Sequence, residues 1–463
     1  MEYEAVIGME VHAQIITASK MFCGCSADYA AAPPNTHTCP VCLGMPGVLP
    51  VANQAAIEAT VLTGLALGCE VPAFSKFDRK NYPYPDLMKG YQISQYDLPL
   101  CRGGWLDISI DGETSRVGLT RIHMEEDTAR LLHRDGVAGA DAYSLVDVNR
   151  SGTPLMEIVT EPDIRSPEQA RQFLVKLRQV LRYIGVSRAN MEEGQMRCDA
   201  NISLRPRGSL ALGTKVEIKN MNSFRAVHDA LRFEQRRQAD VLLAGGTLIQ
   251  ETRGWDDERQ VTVGQRTKEE ADDYRYFPDP DLPPLRLSTA FIDELRAQLP
   301  ELADSRRARY LAIGLSEFEA DTLSESRDRS DYFEALSAAL AGREPARAAQ
   351  VAANWVLGEV NRWCNDTGHD VASFPVAPDA LAGLALKLER KEITGTVAKQ
   401  VFEQMVATGK DAATIVDEAG LGSVDAAEEL VGIVRQIIAT NEKAVADYRA
   451  GKETAVKFLV GQV

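Results

Sequence analysis

No stretch of this chain stays apolar for the length a bilayer demands. The best run, Ala55–Gly68, is broken by Glu58, and about 20 apolar residues are needed to span. The N-terminus, MEYEAV, has no basic stretch leading into an apolar core. No secretory signal is read there, and a cytoplasmic location is expected. Positive charge is in deficit: 51 Lys and Arg stand against 67 Asp and Glu, for a net charge of −16. That argues against a protein that coats nucleic acid by bulk charge, while leaving room for a local basic surface. Eight cysteines in 463 residues are not a disulfide framework, and a cytoplasm would keep them reduced. No internal repeat or low-complexity run stands out.

What is there begins with YEAVIGMEVHAQI, Tyr3–Ile15. Every odd position is apolar, and the even ones include Glu4, Glu10, His12 and Gln14. Period-two alternation predicts a strand with one buried face, and puts Glu10, His12 and Gln14 together on the other. A carboxylate beside an imidazole suits a divalent metal or acid–base chemistry. A merely solvated sheet face is the alternative.

Next come Cys23-x-Cys25 and, thirteen residues on, Cys39-x-x-Cys42, among prolines and glycines. Two short cysteine pairs on turns predict a structural four-thiolate zinc site. His37 lies between the pairs as a weaker alternative ligand. Val51–Leu67 reads as a helix. Ser75–Leu100 is polar, aromatic and proline-rich, with Lys80, Asn81, Tyr82, Lys89, Tyr91 and Gln92 in it; such irregular segments are often functional.

In RVGLTRIHMEED, alternation gathers Arg121, His123 and Glu125 on one face. YSLVDVNRSGTPLMEIVTEPD reads as two strands joined by a Ser151–Pro154 turn, with Glu157 and Glu161 on a shared face. His12, Glu125 and Glu157 thus come from three strands, which suggests a site. RSPEQARQFLVKLRQVLRYIG predicts a helix capped by Ser166, with Pro167 in its first turn, Gln169 closing a capping box and Gly185 ending it. RCDANISLRPRG sets Arg197, Asp199, Asn201 and Arg205 on one face, and TKVEIKNMNSF sets Lys215, Glu217 and Lys219 on another such face. These mixtures suit phosphates or a ribose, or simply a wet sheet. GSLALGTK resembles a P-loop, but its order is Gly-Thr-Lys and a strand follows it, so it is rejected.

A helix is expected from Arg225 to Leu243, then two strands around Gly254–Arg259. RTKEEADDYRYFPDPDLPPL, with Arg275 and four prolines, predicts a domain boundary. Beyond it Phe291–Leu299, Asp304–Leu311, Glu344–Asn365, Val397–Ala407 and Ala426–Thr440 read as helices, with a further division near Gly409. The expected class is α+β: an antiparallel-sheet domain with flanking helices at 1–290, carrying the zinc insert at 22–45, an all-α domain at 291–408 and a small helical tail domain at 409–463.

VIGMEVHAQI, CGC…CPVC, KFDRKNY, GYQISQYD, TRIHMEEDTARL, SLVDVNRSGTPLMEIVTEPDIRSP, MEEGQMRCDANISLRP, KVEIKNMNSF and DDYRYFPDPDLPPL, in this order, resemble the B subunit of the aspartyl/glutamyl-tRNA(Asn/Gln) amidotransferase over the whole chain. The chain departs from that pattern at Pro83 and Met88 and lacks the family's usual basic tail, so the tail domain is expected to be incomplete. The resemblance implies a cradle domain that uses ATP and Mg²⁺ to phosphorylate the side-chain carboxylate of Glu-tRNA(Gln) or Asp-tRNA(Asn). Ammonia from a partner amidase (A) subunit then gives the amide, a small C subunit completes a heterotrimer, and the C-terminal domains contact tRNA.

It also implies that His12, Glu125 and Glu157 ligate Mg²⁺, with Glu10 catalytic or behind them. A histidine ligand is unusual for Mg²⁺, so Mn²⁺ is an alternative. Arg150, Arg197, Asp199, Asn201, Lys219 and Arg275 are expected to bind ATP or substrate, and Lys80, Tyr82 and Lys89 to flank the ammonia tunnel. Two other readings stay open: a non-catalytic tRNA-binding scaffold with a structural zinc, and a stand-alone metal-dependent hydrolase.

Overall fold

The computed structural model describes residues 2–134, 142–267, 274–340, 342–421, 427–450, 452 and 454–463. Asp272 and Asp273 of the DDYRYFPDPDLPPL motif lie outside them. Contacts divide the chain into two units, 1–305 and 306–463.

The first unit is built on a nine-stranded sheet. Its central strand is Tyr3–Gln14, paired antiparallel with Pro154–Thr160 on one side and Met196–Pro206 on the other. Outward on one side follow Glu113–Glu126 and Cys101–Arg102, with Trp105–Ile110 also on Glu113–Glu126. On the other side follow Val216–Met221, Glu251–Asp256 and Val261–Thr267. The sheet is antiparallel except where Val216–Met221 runs parallel to Glu251–Asp256; helix Phe224–Leu243 makes the crossover such a pair requires.

The odd residues of the first strand, from Ala5 to Ala13, are buried. They join one core with the helices Pro167–Tyr183 and Phe224–Leu243, through Phe173, Leu174, Leu177, Val227 and Leu231 among others. Burying each large side chain stabilises by roughly 1.5–3 kcal/mol, which fixes the strand's face and leaves Glu10 and His12 on the other. Helix Pro167–Tyr183 begins as expected: the Ser166 hydroxyl accepts from Gln169 N, Pro167 fills the first turn, and Gly185 follows the end with φ +74°. The capping box does not close, because the Gln169 carboxamide accepts from Arg165 N instead.

Three local expectations change. Tyr143–Asp147 and Pro154–Thr160 are not a hairpin: the former pairs with Arg130–Arg134 and the latter with the main sheet. A register shift between Val159 and Thr160 breaks the alternation. Glu161 therefore leaves the face of Glu157 and accepts from the Thr120 hydroxyl at an exposed position. Helix Thr289–Ala297 does not open the second unit, since Leu295 belongs to the first core.

The second unit is helical among its described residues, from Arg327–Ala339 and Pro345–Trp355 through Gly395–Thr408 to Thr454–Gln462. The helix expected over Glu344–Asn365 is interrupted by a π-helical turn, Val356–Val360. Ala412, Ile415 and Val416 lie in the second core, so helix Ala412–Ala419 falls on its side of the division expected near Gly409. No described helix is long and apolar enough to cross a membrane.

Candidate active site

Antiparallel register sets side chains of neighbouring strands side by side. One row of direct partners crosses four strands: Arg197, His12, Glu157 and His123. The next row carries Asp199, Glu10, Val159 and Arg121, and a third carries Gln14, Leu155 and Glu125. All of these but Gln14 floor a cleft of about 620 Å³, walled by Lys80, Tyr82, Tyr84, Tyr274 and Tyr276, with Lys215, Glu217 and Lys219 along one side.

At the centre, His12 Nε2 lies 3.3 Å from Glu157 Oε2 and 3.6 Å from Glu125 Oε2. His123 Nε2 lies 3.2 Å from Glu157 Oε2 and 3.5 Å from Glu125 Oε1. Glu125 accepts from Ser94 Oγ at 3.0 Å and Gln92 Nε2 at 3.3 Å, and Lys80 Nζ is 3.7 Å away. Burial opposes ionisation of both carboxyls, but the charges beside them win. Lys80 and the two imidazoles hold Glu125 well below the usual range, and His123 and His12 depress Glu157. Burial likewise opposes the charge on His12, yet Glu157 and Glu125 carry it up to about 10. Glu10 is shifted the other way: burial first, then the Glu157 charge, raise its carboxyl, while Asn201 donates to it at 2.9 Å.

His12, Glu125 and Glu157 can each turn one ligand atom toward a common point, all within 4.8 Å of one another. Two buried carboxylates held ionised around an imidazole fit a divalent cation, which would take the positive charge that protonated His12 supplies in its absence. Cys23, Cys25, Cys39 and Cys42 form a second such group, also within 4.8 Å. A hydrogen bond from Cys23, chiefly, lowers the Cys42 thiol to about 5. Four thiol sulfurs at this spacing suit tetrahedral zinc and leave it no open position. His37 is not in this group; its carbonyl accepts from Lys20 instead.

The cleft collects Arg197, Asp199 and Lys219 as expected, and Asn201 reaches it through Glu10. Lys219 Nζ donates to Asp199 at 2.6 Å and lies 3.2 Å from Glu217. Arg150 does not line it. Its guanidinium donates to the carbonyls of Thr128 and Ala129 and braces Asp127, which in turn accepts from Arg197 at 2.8 Å. Arg275 is exposed, with φ +46°; the left-handed turn sends Tyr274 and Tyr276 into the cleft instead. Lys80 and Tyr82 line the cleft, but Lys89 pairs with Glu126 beside Cys42 in a separate cavity. Ser94 is a site residue that the sequence does not single out, and His123 and Gln92, though they stand out in their segments, carry no assigned role there. Alternation puts His123 on the face of Glu125; only the strand register reveals that it meets Glu157.

Residues 5–293 match the GatB/GatE catalytic domain, and residues 331–463 the GatB domain. The chain belongs to the GatB family. Relatives named as the B subunit of aspartyl/glutamyl-tRNA(Asn/Gln) amidotransferase are similar to it along its whole length. The protein of Dehalococcoides mccartyi is 54% identical, covering 100% of this chain and 95% of its own. That of Thermomicrobium roseum is 54% identical with the same coverage, and that of Carboxydothermus hydrogenoformans 50%. The cleft lies wholly within the region of the catalytic-domain match.

Proposed function

We propose that this chain is the subunit of a tRNA-dependent amidotransferase that activates a carboxylate and amidates it. The substrate is the side-chain carboxylate of Glu-tRNA(Gln), Asp-tRNA(Asn) or both. ATP supplies the phosphoryl group, and ammonia arrives from a partner amidase in an assembly with a small third subunit. The observation that carries this reading is the convergence of His12, Glu125 and Glu157 at the floor of a cleft rimmed by Lys80, Arg121, Arg197, Lys215 and Lys219. A tRNA-binding scaffold would have no use for buried carboxylates held 3.2–3.6 Å from two imidazoles, which cost several kcal/mol to desolvate.

His12, Glu125 and Glu157 would hold Mg²⁺ or Mn²⁺, which supplies charge neutralisation on phosphate oxygens when bound. The remaining work falls to the chain's own groups. The substrate carboxylate attacks the terminal phosphorus; the new P–O bond forms as the bond to the departing ADP breaks. Lys80, Arg197 and Lys219 stabilise the charge spread over the phosphoryl oxygens. Ammonia then attacks the acyl carbon and inorganic phosphate leaves. Glu10, with its raised carboxyl, is the proton acceptor for the attacking nitrogen. Cys23, Cys25, Cys39 and Cys42 would hold a structural zinc.

The test is the full assembly incubated with misacylated tRNA and γ-labelled ATP, without an ammonia source. Label should enter the aminoacyl-tRNA in an alkali-labile acyl phosphate. ATP hydrolysis with no transfer to tRNA would favour the stand-alone hydrolase.

A further inference from the structure

Lys20 lies outside the cleft and is 1% exposed. An ammonium is seldom buried so deeply unless its charge is met. Its Nζ donates to the carbonyls of His37 at 2.8 Å and Val148 at 3.3 Å. Among the described residues it has no carboxylate partner, so these dipoles solvate the charge without balancing it.

Cys25 and Cys42 of the four-cysteine group lie beside this residue. Lys20 N donates to Cys25 O at 2.9 Å, and His37 lies between the two cysteine pairs. A Cβ on Gly152 would stand 3.5 Å from Lys20 Cδ and 3.8 Å from Cys42 Cβ. Gly152 therefore packs against the lysine stem and Cys42 together. Zinc bound by four thiolates carries a net double negative charge; three of these cysteines are partly exposed and Cys42 is buried, and on the buried side a cation close by would stabilise that charge.

We propose that Lys20 is the buried counter-charge of the four-cysteine zinc centre and the strut that ties it to the turn before strand Pro154–Thr160. That turn continues toward the cleft. Met21 N donates to Gly152 O at 2.7 Å, Gly152 N to Asp127 O at 2.9 Å, and Asp127 N to Thr153 O at 2.8 Å. The Asp127 carboxylate then holds Arg197, which lines the cleft. Lys20 thus acts as a positioning residue: the metal centre stiffens the wall that carries Arg197 without touching substrate.

Both roles of Lys20 rest on the zinc reading. The test uses the full chain in its assembly, loaded with zinc, as wild type, Lys20→Met and Lys20→Gln. Zinc transfer to a chromophoric chelator is timed, and amide exchange is followed at Gly152 and Asp127. Both variants should release zinc about 10–100-fold faster, the usual scale for losing a partner behind metal ligands. Exchange at Gly152 and Asp127 should quicken in Lys20→Met. Release at the wild-type rate in both variants overturns the counter-charge. Fast release with unchanged exchange overturns the strut. A wild-type chain without zinc overturns both roles and the zinc reading together. Should Lys20→Met fail to fold, wild type stripped of zinc must itself lose protection at Gly152 and Asp127, or the strut is refuted.

Discussion

His12 and Glu157 are direct partners across two antiparallel strands, with the imidazole Nε2 3.3 Å from a carboxylate oxygen. The pairing follows from register alone: a slip of one residue would turn His12 into the hydrophobic core. The same register sets His123 on the other side of Glu157. The centre of the cleft is therefore specified by backbone hydrogen bonds of the sheet, and sits on rigid elements where chemistry needs narrow tolerances.

Replacing Glu157 by Gln keeps the shape of that pair and removes its charge. Phosphorylation of misacylated tRNA should fall by about 100-fold or more, the scale of losing one preorganised electrostatic contact. On the proposed reading, affinity for tRNA, measured by filter binding, should stay within about twofold, since nucleic-acid affinity comes mainly from phosphate contacts. Glu125→Gln should behave alike. Wild-type phosphorylation at saturating Mg²⁺ in either variant would remove that residue from the ligand set.

Cys39→Ser combined with Cys42→Ser takes two of the four sulfurs from the second metal group. Elemental analysis should find about one zinc in the wild-type chain and none in the variant. The variant should also melt lower, because metal binding to a folded site is folding free energy. Zinc retained at full stoichiometry would send the search for its ligands elsewhere.

Glu234 offers a pH test outside both candidate metal groups. It is fully buried, with Arg237 donating to both its oxygens and Thr262 and Gln238 donating as well. Burial raises its carboxyl, but the bonds from Arg237 and Gln238 outweigh that and leave it below the ordinary value of 4.5. A depressed carboxylate contributes stability that is complete above its unfolded value and is lost as pH falls through the folded one. Glu234→Gln should thus cost about 3–5 kcal/mol at pH 7, the range for breaking a buried pair. In urea titrations the gap between variant and wild type should narrow below about pH 4.5. A gap independent of pH would show that packing, not charge, is at stake.

Much of this site is legible from alternation, because period two assigns a face to each residue without knowing its neighbours. Glu10, His12, Glu125, Glu157, Arg197, Asp199 and Lys219 can be found in that way. What alternation cannot supply is register, bulges and turns. The shift at Val159 removes Glu161 from the face of Glu157, and the positive φ of Arg275 sends that side chain outward while its tyrosine neighbours turn in. Arg150 misleads because a cation near a site serves equally as a brace. In the second unit, Arg327–Ala339 gives little signal: its buried face is Ser330, Phe333 and Leu336, too sparse an apolar stripe to stand out. Pro378–Glu389 is apolar on most sides and has little stripe at all.

On the reading proposed above, ammonia comes to this chain from outside, and the thiols beyond the four-cysteine group are poorly placed to release it from glutamine. A cysteine glutaminase needs a thiolate, usually beside a histidine. Outside the four-cysteine group only Cys69, Cys101, Cys198 and Cys364 remain, and all are buried. Burial pushes the Cys69 thiol up to about 12, raises Cys101 and Cys198 well above the ordinary value, and raises Cys364 as well. Cys198 lies on the core face of its strand, next to Asp199, whose charge further disfavours a thiolate. These four are fillers of apolar space. On the proposed reading the glutamine-splitting nucleophile belongs to another subunit. An assembly whose amidase nucleophile has been removed, given misacylated tRNA and ATP, should form amide with ammonium chloride and none with glutamine. Amide from glutamine would reveal a nucleophile in this chain that its thiols do not betray. Failure with ammonium would take the amidation step away from the cleft of His12, Glu125 and Glu157.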